Sequence, residues 1–281
     1  MDRPVLGLPS PASDAEPTLR SYGDASVAGI RAEGASTAWL ALRAASVVGS
    51  RHRLAGGGSD DFFAWSQGQG WVAVAVADGL GGVPGSAGAA ARACSAAVSA
   101  ASLGGLGEHD DTPDLAAVAR LGGQAAESAA RGGGATTLVL AVVAQSGEVQ
   151  VARVGDSTAF VVDAASTREL FASPEQGTVG TATAALPFEA PSGDGAQLAV
   201  PTGEVDVWET ASWQLHPGEV LVLATDGVAD PWRDGPETVD PALRAVISRQ
   251  PSPLDLAGFV DFSRQGCHDD RTVVCAWLRP G

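Results

Sequence analysis

The chain has 281 residues, of which 45% are hydrophobic and only 5% aromatic, and its 33 acidic and 17 basic residues give a net charge of −16. Such an acidic surface repels nucleic acid and anionic membranes, so neither is an expected partner. The three cysteines form no CxxC pair, and the sequence contains no run of about 18 apolar residues, the length needed to cross a bilayer. We therefore expect a soluble, cytoplasmic protein with reduced thiols.

The N-terminal half begins with 34 residues that mix proline, glycine, serine and acids without periodicity. This composition predicts a flexible tail over residues 1–34, followed by one folded domain over residues 35–281. Short β-forming runs separated by glycine turns come next, and then an alanine-rich segment typical of a helix packed closely on a sheet. The predicted strands are 37–48, 62–66 and 71–77, and the predicted helices are 86–101, with Ser86 as N-cap, and 114–131.

The C-terminal half is richer in β runs. The turn from Gln145 to Glu148 predicts an antiparallel hairpin, whereas residues 163–203 lack periodicity over a length that is usually functional or mobile. The predicted strands are 136–144, 149–154, 157–162, 204–215, 219–224 and 272–278, and the predicted helices are 241–249 and 254–265. The predicted helices occur in pairs between hairpin-linked strands. This pattern favours an α+β fold, in which helices cover antiparallel sheets, rather than a βαβ repeat.

Aspartates stand at the ends of several of these β runs, at Asp78, Asp156, Asp226 and the pair Asp269-Asp270. One Asp-Gly after a strand is usually only a turn, but several carboxylates at the rim of one sheet would repel each other unless a cation lay between them. Carboxylate and carbonyl oxygens are the ligands that Mg²⁺ and Mn²⁺ prefer. The sequence therefore predicts a metal site made of sheet-end aspartates.

The order of these motifs resembles the metal-dependent serine/threonine protein phosphatases of type 2C, in their compact bacterial branch, over residues 38–279. The matching segments are Gly49–His52, Asp60–Phe62, Asp78–Gly82, Gly134–Thr137, Gly155–Ser157, Thr225–Gly227 and Asp269–Thr272. Each motif alone is weak, and their common order makes the signal strong. The resemblance implies a four-layer αββα fold, in which a central β-sandwich of two antiparallel sheets is flanked by helices.

The same resemblance implies a set of metal ligands. Asp78 would bridge two ions, and the carbonyl of Gly79 would bind the first of them. Asp226 and Asp269 would bind the second ion. Asp156 matches the residue that binds a third, weaker ion in many bacterial members.

Further residues are implied around these ligands. Asp61 and Asp60 would hold metal-bound waters, and Asp61 would thereby join Asp78, Asp226 and Asp269 in catalysis. Either Arg51 or Arg53 would bind the substrate phosphate. Among its departures from the family pattern, Thr158 replaces an arginine, Asp270 replaces an asparagine, and residues 163–203 lack a clear flap motif.

Together these roles imply hydrolysis of phosphoserine and phosphothreonine on proteins by a water activated between two Mg²⁺ or Mn²⁺ ions. The partners would be phosphorylated proteins, such as clients of a serine/threonine kinase, and we expect a monomer. Two alternatives stay open. The altered flap and the missing arginine are compatible with a pseudophosphatase that serves as a binding or regulatory module, and the same fold could act on a regulator of the anti-sigma-antagonist type.

Overall fold

The computed structural model describes residues 29–102, 133–171, 208–234, 237, 239–262, 264 and 266–279. Within these ranges the chain forms eleven strands and five helices. The strands are β1 (Ile30–Ser36), β2 (Leu40–Val47), β3 (Asp61–Gln67), β4 (Trp71–Asp78), β5 (Leu138–Ala144), β6 (Glu148–Val154), β7 (Thr158–Val162), β8 (Thr167–Glu169), β9 (Glu209–Gln214), β10 (Val220–Ala224) and β11 (Arg271–Leu278). The helices are α1 (Ser50–Ala55), α2 (Ser86–Ala100), α3 (Asp226–Asp234), α4 (Val239–Ile247) and α5 (Pro253–Val260).

The strands build two sheets in which all paired neighbours are antiparallel. One sheet has the order β1-β2-β11-β10-β7-β8 and the other β3-β4-β5-β6-β9. Every residue of β5 and β10 is buried, because these central strands are covered on both faces, and this explains their unbroken apolar sequences. The predicted sandwich of two antiparallel sheets is confirmed.

Three apolar clusters define the layers. Large side chains such as Phe63 and Leu223 fill the space between the two sheets. The outer face of the five-stranded sheet is covered by α2, whose buried alanines, Ala93 and Ala97 among them, allow a close approach. The outer face of the six-stranded sheet is covered by α3, α4 and α5, with Trp232 of α3 stacked on a strand residue. The arrangement is the expected four-layer αββα fold.

Four elements of the fold were not predicted from the sequence: β1, α1, β8 and α3. Strand β1 begins at Ile30, inside the stretch assigned to the tail, and pairs with β2 along its whole length. An edge strand is held by backbone hydrogen bonds and needs little apolar patterning, which is why composition did not reveal it. Helix α3 was not predicted because Gly227 and Pro231, both poor helix formers, lie within it. The predicted helix 114–131 and residues 1–28 lie outside the described residues.

The hairpin predicted between β5 and β6 is confirmed, with Gly147 at φ 88° in its turn. The short turn from β9 to β10 has a different role. Strand β9 pairs with β6 and β10 pairs with β7 and β11, so this turn carries the chain from one sheet to the other. None of the helices that the structure describes is long and apolar enough to cross a membrane.

Candidate metal centre

Three aspartates from distant parts of the chain meet at one edge of the sandwich. Asp78 ends β4, Asp156 lies in the turn between β6 and β7, and Asp226 begins α3 directly after β10. One carboxylate oxygen of each lies within 4.8 Å of those of the other two. Strands β4 and β6 belong to one sheet and β10 to the other, so the sandwich itself brings these carboxylates together.

The electrostatics of this acidic cluster are unfavourable without a cation. Burial, followed by repulsion from Asp156, Asp230 and Asp269, raises the pKa of Asp226 from 3.8 to about 7. Burial and repulsion from Asp61 and Asp226 raise the pKa of Asp78 well above its ordinary value. Among the described residues, the buried Oδ1 atoms of Asp61 and Asp226 have no hydrogen-bond donor other than neighbouring aspartates, which donate only when they are protonated. Concentrated, unsatisfied carboxylate oxygens fit Mg²⁺ or Mn²⁺.

Hydrogen bonds fix the backbone of Asp78 at this edge. Its N–H donates to the hydroxyl of Thr137 over 3.0 Å, and its carbonyl accepts from the hydroxyl of Thr136 over 2.8 Å. The hydroxyls of Thr137 and Ser157 are 2.7 Å apart, which links this support to the turn that carries Asp156. The segment Gly134–Thr137 therefore positions two of the three aspartates.

Glycine is required next to Asp78 by close backbone packing. A Cβ at Gly79 would lie 2.6 Å from the carbonyl carbon of Ser86 and 2.9 Å from the carbonyl oxygen of Asp60. The prediction that Ser86 caps α2 is wrong, because the N-cap is Gly85 at φ 90°. Instead, the Ser86 hydroxyl donates to the carbonyl of Val83 and accepts from the N–H of Ala135, which ties the start of α2 to the supporting segment.

Asp61 lies behind the cluster. It is opposite Asp78 in the β3–β4 register and is 5% exposed. Its Oδ2 accepts a hydrogen bond of 2.8 Å from the hydroxyl of Thr225, the residue before Asp226. Burial, followed by repulsion from Asp270 and Asp226, raises the pKa of Asp61 well above its ordinary value. Asp61 is therefore a buried carboxylate beside the cluster, tied to the residue that precedes Asp226.

The neighbours Asp269 and Asp270 have opposite environments. The buried carboxylate of Asp270 accepts from the N–H groups of Gly49 and Asp60, over 2.6 and 2.7 Å, and lies 2.9 Å from Nδ1 of His52. It therefore holds α1 against the strand ends. Asp269 is exposed and lies outside the cluster of three, although its charge contributes to the raised pKa of Asp226. The Asp60 carboxylate lies 3.6 Å from Nε2 of His52.

The structure separates the two candidate phosphate-binding arginines. Arg53 is paired with Asp261, and its Nε donates to the carbonyl of Val48 over 2.6 Å. Arg51 is exposed on α1, and its backbone N–H donates to the carbonyl of His268 beside Asp269. Phosphate binding needs a guanidinium that faces solvent. Because the guanidinium of Arg53 is held by contacts within the protein, Arg51 is the better candidate for this role.

Sequence reasoning missed Asp230. This residue lies one turn after Asp226 on α3, and its charge raises the pKa of Asp226 while its own pKa is raised by burial and by Asp156. Residues four apart share a helix face, so the spacing would have revealed it if a helix had been predicted at Asp226. The acidic cluster is thus extended along α3.

Comparisons with known proteins agree with this geometry. Residues 48–255 match the family model of protein phosphatase 2C. No curated protein matches the sequence significantly. Among solved structures, the catalytic domain of the serine/threonine protein phosphatase PstP, in complex with two manganese ions, is 19% identical with a TM-score of 0.59, over 86% of this chain and 99% of that one.

Two other structures show how widely the fold is shared. RsbX in complex with magnesium is 13% identical with a TM-score of 0.54, over 89% of this chain and 100% of that one. Serine-threonine phosphatase 2C from Toxoplasma gondii is 14% identical with a TM-score of 0.56, over 90% of this chain and 100% of that one. At these identities the likeness shows the common fold, whereas the family model covers well over half of the sequence. The chain belongs to the protein phosphatase 2C family.

Proposed function

We propose that this protein is a Mg²⁺- or Mn²⁺-dependent phosphatase that hydrolyses phosphoserine and phosphothreonine on proteins. The observation that carries the proposal is the meeting of Asp78, Asp156 and Asp226 within 4.8 Å. The buried carboxylate oxygens described above support it, since their burial without a counter-charge is costly. Relatives in this fold have been solved with manganese or magnesium.

The residues that would hold two ions are Asp78 and Asp226, with the Gly79 carbonyl and Asp269 completing the set and Asp156 available to a third ion. Two such ions lower the pKa of a water and offset charge on the phosphoryl oxygens. Thr136 and Thr137 hold the backbone of Asp78, so this ligand is already fixed at the sheet edge before an ion binds. Asp61 and Asp60 would hold metal-bound waters.

The protein's own side chains complete the chemistry. We assign substrate binding to Arg51, whose guanidinium can hold two phosphoryl oxygens at once. The chain has no Cys-x5-Arg arrangement of the kind that thiol phosphatases use, and burial raises the pKa of both Cys94 and Cys275. We therefore propose attack by water rather than by a cysteine.

The substrates would be phosphorylated proteins, such as the clients of a serine/threonine kinase, encountered in the cytoplasm by a monomeric enzyme. The free state of all three cysteines agrees with a reducing compartment. None of the described residues favours the alternative of a pseudophosphatase, since the three clustered carboxylates are all in place.

The test is hydrolysis of p-nitrophenyl phosphate and of a phosphothreonine peptide with Mn²⁺, together with calorimetric titration of Mn²⁺. We expect Asp78→Asn to lower turnover by on the order of 100-fold and to weaken Mn²⁺ binding, because a central charge is lost. Asp163→Asn is the matched control, since this exposed carboxylate caps a turn outside the cluster. The proposal fails if the wild-type protein shows no turnover, or if Asp78→Asn turns over substrate and binds Mn²⁺ like the wild type.

A further inference from the structure

A second group of charges lies beside the acidic cluster and has no place in the proposed chemistry. Arg153 of β6 and Arg233 of α3 both approach the carboxylate of Glu169 at the end of β8. The side chain of Arg233 is 16% exposed and that of Glu169 14% exposed, and Arg153 is almost completely buried. Interactions among these groups are therefore only weakly screened by solvent.

Arg233 lies between Glu169 and the acidic cluster. Its Nε donates to Oε2 of Glu169 over 3.1 Å and its Nη2 donates to Oε1, which makes the pair bidentate. Its Nη1 donates to Oδ1 of Asp230 over 3.0 Å. Arg233 follows Asp226 by seven residues and Asp230 by three on the same helix, so all three share one face of α3.

Further contacts keep Glu169 in place and ionised. The hydroxyl of Thr158 donates to its Oε1 over 2.7 Å, and Nη1 of Arg153 lies 3.9 Å from the same atom. Burial alone would raise the pKa of Glu169, but hydrogen bonds from Arg233 and Thr158 outweigh it and lower that pKa. Thr158 occupies the position where the family signature has an arginine, and here Arg153, from β6 of the other sheet, contacts its hydroxyl.

We propose that Glu169 is a positioning residue that holds Arg233 away from the metal-binding aspartates and so preserves their affinity for divalent cations. The inference rests on the metal site proposed above. A guanidinium competes with a divalent cation for carboxylates, because it offers a positive charge and a fork of donors. Arg233 already contacts Asp230, so without the charge of Glu169 its best remaining partners are the carboxylates on its own helix face.

The test is calorimetric titration of Mn²⁺ into the full-length, metal-free protein. Glu169→Gln keeps the size of the side chain and removes its charge. We expect the Kd for Mn²⁺ to rise at least about fivefold, because fivefold is the effect of one unit charge brought close to a carboxylate even at the dielectric constant of water. The double variant Glu169→Gln/Arg233→Met should restore the Kd to within about twofold of the wild type. Arg233→Met alone should bind Mn²⁺ at least as tightly as the wild type.

These outcomes separate positioning from a purely structural role. If Glu169 only stabilised the fold, the double variant would bind Mn²⁺ no better than Glu169→Gln. Unchanged affinity in Glu169→Gln, failure of the double variant to recover, or weaker binding in Arg233→Met would each overturn the inference, and the last applies even if Glu169→Gln does not fold. Glu219→Gln, whose carboxylate binds Trp213 and His216 instead, is the matched control. A wild-type protein that binds no Mn²⁺ would refute the proposed function itself.

Discussion

Asp226 has a pKa that burial and neighbouring carboxylates raise from 3.8 to about 7 in the folded protein. Between these two pH values the folded protein holds a proton that the unfolded chain has released, so the free energy of unfolding falls as pH rises. The rise is roughly 3 pH units, and at about 1.4 kcal/mol per unit the loss approaches about 4 kcal/mol by pH 8 as an upper limit. Asp61 and Asp78 act in the same direction, since their pKa values are raised too.

The assay is urea denaturation in EDTA at about pH 5.5 and about pH 8. We expect metal-free wild-type protein to be less stable at the higher pH by about 2 kcal/mol from Asp226 alone, since about half of the upper limit is already lost below about pH 5.5. Asp226→Asn removes the titrating group, so this variant should lose much of the pH dependence and exceed the wild type in stability at the higher pH. Mn²⁺ should stabilise the wild type most at the higher pH and the variant far less, because tighter binding to the folded state adds more stability.

Carboxyls with lowered pKa values do not obscure this test. Glu169 and Asp240 have lowered pKa values, so the stability they contribute is lost only at more acidic pH. The comparison with Asp226→Asn isolates the cluster from such groups. Equal pH dependence in the two proteins would refute the reasoning, because it would mean that Asp226 gains no proton on folding.

Two further predictions concern packing around the cluster. A Cβ at Gly227 would lie 1.9 Å from the carbonyl oxygen of Asp270, so Gly227→Ala should lower the free energy of unfolding in urea by about 1–3 kcal/mol. Gly258 of α5 faces open space, so Gly258→Ala should raise it by about 0.5–1 kcal/mol. Equal stabilities of the two variants would contradict this packing. Thr225→Val leaves Oδ2 of Asp61 and the N–H of Thr272 without the hydroxyl that serves both, and should destabilise by about 2–3 kcal/mol in the same assay. Thr225→Ser keeps the hydroxyl and should cost clearly less, and a reversed order of the two variants would show that the methyl group matters more.

Much of the fold could be predicted because burial leaves a local mark on the sequence. Strands β4 and β5 are covered on both faces and are therefore continuous apolar runs. Helix α2 lies close to a sheet and is therefore rich in alanine. Strand β1 was not predicted because backbone pairing with β2, rather than apolar patterning, holds it in place. Helix α3 was not predicted because tertiary packing overrides the low helix propensity of two of its residues.

The site shows the same division. The sequence by itself determined that Asp78 and Asp226 stand at the ends of buried strands, because an apolar run followed by Asp-Gly is visible locally. Only the tertiary structure decided that Asp156 joins them, that Asp270 is buried while Asp269 is exposed, and that Arg233 binds Glu169. The physical reason is distance along the chain. The carboxylate of Asp270, for example, accepts a hydrogen bond from the N–H of Gly49, 221 residues away. Such long-range contacts set the direction of a loop side chain, and they cannot be predicted from the residues next to it in the sequence.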